Sequence, residues 1–140
     1  MKILSNNCAE VELINNILSC KIINNYSIAE KDYEEFIEVL KNTYQAYLME
    51  NKKFSFLLDL RHYETIPLIP DIMSVINFFK NNREKTMKVL WGTSVITDNK
   101  LIIHLFDLIF SMYESIKPIK MLKTYNEARQ FITSLENMDN

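Results

Sequence analysis

Hydrophobic and polar positions follow two different periods along this chain. Glu10–Ile14 and Ile17–Ile23 are short apolar-rich runs on either side of Asn15 and Asn16. Asparagine tolerates positive φ, so this pattern predicts two strands joined by a two-residue hairpin. Lys2–Leu4 either begins the first strand or adds a short one of its own. Ser27 followed by Glu30 has the spacing of a capping box. Behind it Tyr33, Phe36, Ile37, Leu40, Tyr44, Tyr47 and Leu48 recur at helical intervals, predicting a long amphipathic helix that ends near Asn51.

The second half alternates strand and helix. Phe54–Leu60 is an apolar run carrying Asp59 near its end, the pattern of a buried strand. Pro67 and Pro70 hold off helix until about Asp71, after which Met73, Ile76 and Phe78 or Phe79 mark a second helix. Thr86–Gly92 has the pattern of another strand, with Gly92, the single glycine, placed to relieve strain at its end. Thr97 or Asp98 can cap a third helix running from Asn99 to about Ser115. Pro118 precedes a short strand, Ile119–Leu122. Thr124 and Glu127 form a second capping box, opening a last helix with Ala128, Phe131, Ile132 and Leu135 on one face. The order ββ-α-β-α-β-α-β-α predicts the α/β class: an N-terminal β-hairpin plus alternating β/α units, with a mixed, mostly parallel sheet flanked by helices. Residues 1–136 are expected to form a single domain and residues 137–140 to fray.

Composition narrows the functional classes. A chain of 140 residues with 48% hydrophobic and 24% charged residues is that of one folded domain. The net charge of −2 gives no electrostatic case for nucleic acid or an anionic membrane, and the densest basic cluster, Lys80–Lys88, is interrupted. No apolar run approaches the ~18 residues of a membrane span, and no basic stretch leads into a signal-like apolar segment. Cys8 and Cys20 fall on the predicted hairpin partners and read as reduced thiols of a cytoplasmic protein.

Asp59, Arg61, His62 and Glu64 are the densest group of reactive side chains. A strand-end carboxylate beside His62 can serve as a general base. Alternatively Asp59 caps a neighbouring backbone group or pairs with Arg61, leaving His62 exposed. The loop Arg61–Pro70 has no glycine to bring backbone N–H groups to a phosphate, and no serine or cysteine nucleophile. With one glycine in the chain, phosphate-loop and dinucleotide fingerprints are excluded, and neither HExxH nor CxxC occurs, so no metal and no cofactor are expected. The best place for an anion is the segment Gly92–Thr97 leading into the third helix.

That third helix carries the sharpest signal. Lys100, His104, Asp107, Ser111 and Ser115 form one polar stripe, and every other position from Leu101 to Tyr113 is apolar. The apolar arc spans roughly 220° of the circumference, against the ≳ 100° that an ordinary surface helix buries. Ile103, Phe106 and Phe110 form one margin, and Leu101, Leu108 and Met112 the other; the expected interaction surface is Ile103, Phe106, Phe110 and Tyr113. The surplus needs a cover: a neighbouring helix, a homodimer or protein partner, or an apolar small molecule.

The element order, the strand Phe54–Leu60 with Asp59 near its end, and the helix after each later strand resemble the STAS domain. That fold occurs in bacterial anti-sigma-factor antagonists, in sulfate transporters and in the lipid-binding SpoIIAA-like proteins. The resemblance spans nearly the whole chain and implies a scaffold that binds proteins or small ligands. The antagonists carry an Asp-Ser-[Ser/Thr]-Gly phosphoacceptor motif after the central strand. Here the matching region, Pro67–Ser74, has neither the Asp-Ser pair nor the glycine. The expected function is a non-enzymatic protein-interaction or regulatory module centred on helix 99–115 and the loop from Asp59 to Pro70, binding a protein partner or its own copy. Two alternatives are a carrier of a lipid-like small molecule, and a small hydrolase or transferase using Asp59 and His62.

Overall fold

The structure, a computed structural model, describes residues 2–6, 9–22, 30–61, 77–112 and 117–138. Its centre is a six-stranded sheet in sequential order: β1 (Lys2–Ser5), β2 (Ala9–Ile14), β3 (Ile17–Ile22), β4 (Phe54–Asp59), β5 (Leu90–Ile96) and β6 (Ile119–Leu122). The first two pairings are antiparallel and the remaining three parallel. Asn15 and Asn16 both have positive φ, 52° and 62°, as the tight turn between β2 and β3 demands. Lys2–Leu4 thus belongs to a strand of its own.

Four helices are labelled in chain order: α1 (Glu30–Glu50), α2 (Arg83–Val89), α3 (Lys100–Met112) and α4 (Tyr125–Met138). Residues 77–81 are also helical and lead into α2. Asn51 follows α1 with φ of 55°, and its N–H donates to the Leu48 carbonyl while that of Lys52 donates to Tyr47. These two bonds satisfy carbonyls that the end of the helix would otherwise leave open. At the start of α4 the Glu127 N–H donates to Thr124 Oγ1, the backbone half of the expected capping box. Ser27 and Cys8 lie outside the described residues. α4 continues to Met138, past the expected boundary at 136.

The two faces of the sheet are covered differently. On one, Phe36, Leu40 and Tyr44 of α1, Phe78, Val89 of α2, and Ile102 and Phe106 of α3 pack over Val11, Leu18, Phe54 and Phe56. On the other, Ala128 and Ile132 of α4 pack over Ile17, Leu57 and Ile96. Along β4 the side chains alternate between these layers, so its run reads as continuously apolar.

The strand expected over Thr86–Gly92 is displaced. Residues Arg83–Val89 are helical and the strand begins at Leu90. Thr86 and Val89, three apart, are both buried on α2, and the Thr86 and Tyr44 hydroxyls stand 2.8 Å apart. Helical spacing thereby satisfies both a core contact and a buried hydroxyl, against the local β preference of Thr and Val. Gly92 consequently lies inside β5, without positive φ. It serves close packing there rather than relief of strain at a strand end.

Candidate functional site

Parallel strands deliver their loops to one end of the sheet, where ligands of open α/β folds usually bind. β4 ends there at Asp59, which is buried. Arg61 closes on it: the backbone N–H donates to Oδ1 at 3.0 Å, Nε to Oδ1 at 3.0 Å and Nη2 to Oδ2 at 2.8 Å. This hydrogen bonding raises the guanidinium pKa above its already high ordinary value, with the carboxylate charge and the nearby Tyr125 adding to the effect and burial opposing it. Both carboxylate oxygens are therefore engaged, and Asp59 acts as a turn cap and ion-pair partner. For Asp59 and Arg61 this is the capping and pairing of the second reading open in the sequence. His62 and Glu64 lie outside the described residues.

The N-terminus of α3 opens at the same end. Asn99 is its cap: Oδ1 accepts from the N–H of Leu101 at 2.9 Å and of Ile102 at 3.4 Å. Thr97 Oγ1 accepts from Asn99 N–H at 3.2 Å, one step ahead of the cap. The expected anion site is corrected on two counts. Residues 92–96 are strand rather than loop, and the side chain of Asn99 already uses two of the amides that an anion would need.

α3 rolls its apolar arc so that the middle is buried. Ile102 is fully buried, and Phe106, expected at an interaction surface, is 8% exposed within the core. Phe106 is thereby corrected from surface to core residue. Ile103 is half-buried. The side chain of Phe110, and Tyr113 altogether, lie outside the described residues. Among the described side chains of α3, the apolar ones turned outward are Leu101 and Leu108, 61% and 53% exposed. Leu105 between them is half-buried, and Lys100, His104 and Asp107 beside them are exposed. The available signal was the centre of the arc: at 100° per residue Ile102 lies near its middle, so both margins compete for exposure.

Among the described residues no group of three His, Cys, Asp or Glu side chains is placed to hold a metal ion. Among the same residues no helix is long and apolar enough to cross a membrane.

No protein-family model matches the chain, and no curated protein sequence does. Its structure is similar to that of an uncharacterized protein of the DUF3478 family from Shewanella loihica PV-4, described as having a SpoIIAA-like fold. The TM-score is 0.61 at 12% identity, over 92% of this chain and 98% of that one. At that identity the likeness concerns architecture, and the mixed six-stranded sheet with its helices has the SpoIIAA-like fold.

Proposed function

We propose that this protein is a non-enzymatic interaction module that pairs with a second copy of itself through the outward face of α3. The observation that carries the reading is the exposure of Leu101 and Leu108 on one side of that helix. They stand seven residues, or about 10 Å, apart along the axis. Lys100 and Asp107, also exposed and seven apart, run beside them with opposite charges. An antiparallel two-fold pairing of α3 with its copy brings each Leu101 to the other Leu108. The same operation brings each Lys100 near the other Asp107, so the surface is complementary to itself.

The patch is small against the roughly 800 Å² per partner of a stable interface. The pairing is accordingly weak and reversible, which suits a regulatory element. Engagement of Asp59 by Arg61 counts against the hydrolase or transferase alternative, because a base held by two guanidinium hydrogen bonds is poorly placed to take a proton.

Sedimentation velocity over a concentration series, with native mass spectrometry alongside, tests the proposal. A monomer–dimer equilibrium abolished by Leu101→Glu with Leu108→Glu, with the circular dichroism spectrum retained, is the expected result. A monomer at every concentration, or a dimer indifferent to both changes, overturns self-pairing. A bound mass lost on denaturation would instead favour the carrier alternative.

A further inference from the structure

On the helical layer that contains α1, a surface pocket of about 350 Å³ opens between α1 and residues 78–85. Its size is at the small end for ligand sites. Its buried wall is formed by Tyr44 and Phe78, whose rings meet edge-on at 5.2 Å. Tyr44 also meets Phe54 edge-on at 5.8 Å, and its hydroxyl is paired with that of Thr86. The wall is thus anchored to Phe54 and Thr86 through Tyr44.

The polar lining has a single sign. Lys41 comes from α1 and Lys85 from α2, and neither forms an ion pair among the described residues. Asn42 and Gln45 on one side and Asn82 on the other add carboxamides. Asn82 Nδ2 donates to the Phe78 carbonyl at 2.8 Å, which fixes that side chain at the pocket edge. Among the described residues no carboxylate lines the pocket, although acidic residues outnumber basic ones, 18 to 16, in the whole chain. Two lysines from separate elements, with carboxamides and no counter-charge among the described lining residues, favour a compact multivalent anion.

We infer that this pocket is a binding site for a small polyanion, held between Lys41 and Lys85 and positioned by the carboxamides of Asn42, Gln45 and Asn82. The shared ligand chemistry is two or more negative charges on a compact body, as in a phosphorylated or a polycarboxylate metabolite. The site is separate from the face of α3 and does not rest on the self-pairing proposed above.

The test is an NMR titration of the full chain with pyrophosphate and, separately, with citrate, each at ionic strength held constant with sodium chloride. The expected result is saturable shifts of amides in residues 41–45 and 82–86, with the preferred anion identifying the phosphoryl or carboxylate source. Lys41→Gln and Lys85→Gln are each expected to weaken binding about tenfold, while Lys85→Arg, which keeps the charge, retains most of it. Shifts that do not saturate, that centre elsewhere, or that survive the double Gln variant with a folded spectrum overturn the inference.

Discussion

A Cβ built on Gly92 stands 2.5 Å from Leu135 Cδ1, and 2.8 Å from the Pro118 carbonyl oxygen. Strand β5 and helix α4 pack this closely because position 92 carries no side chain. The Leu135 methyl can swing aside, but the Pro118 oxygen is backbone, and it accepts the Thr93 N–H at 2.9 Å across the β5–β6 pairing. Gly92→Ala is expected to destabilise the fold by about 1–3 kcal/mol, the cost of overpacking a filled interior. Adding Leu135→Ala relieves the first contact and leaves the second, so the double variant stays below wild type. Urea denaturation of the three proteins measures this.

The hydroxyl pair Tyr44–Thr86 joins residues 42 apart in sequence and is buried. Removing either hydroxyl breaks this buried hydrogen bond. Tyr44→Phe and Thr86→Val should each cost about 1–3 kcal/mol, and the double variant clearly less than their sum. A strictly additive cycle would mean that each hydroxyl finds another partner.

Phe106 and Leu108 are neighbours on α3 with opposite environments. Phe106→Ala is expected to cost about 3–5 kcal/mol by opening a cavity in the core. Leu108→Ala should change folding stability by less than about 1 kcal/mol and act on association instead. Thermal melts paired with sedimentation separate the two effects.

The turn asparagines differ although both hold positive φ. Asn16 Oδ1 accepts the Tyr47 hydroxyl at 2.8 Å, tying the hairpin to the end of α1. Asn15→Gly should be neutral or slightly stabilising, whereas Asn16→Gly should lose about 0.5–1.5 kcal/mol. Comparing the two denaturation midpoints checks the difference.

Burial, followed by the charge of Glu50, raises the Tyr47 pKa above its ordinary value. The folded state therefore favours the neutral phenol. Its contribution is complete below the unfolded value of about 10, and is lost as pH rises through the higher folded value. Tyr47→Phe should flatten the alkaline fall in stability, which a series of urea midpoints above pH 9 would record.

Local sequence determined much of this fold. The Asn15–Asn16 turn, the Thr124–Glu127 box and the run Phe54–Asp59 each depend on residues close in the chain, and all were legible there. So was Asp59, with two roles left open between general base and partner of Arg61; the folded turn brings the Arg61 guanidinium onto both carboxylate oxygens. Contacts between distant segments decided the rest. Thr86–Val89 is helical because Tyr44 offers Thr86 a buried partner, which outweighs local β preference. Gly92 is needed because Leu135 and Pro118 close over it. The roll of α3, and hence the exposure of Leu101 and Leu108 in place of Phe106, follows from burying Ile102 and Phe106 together. The arc on α3 is wider than one sheet face can cover, so its sequence alone leaves that choice open. The pocket between Lys41 and Lys85 has the same origin, because only packing brings those charges to one opening.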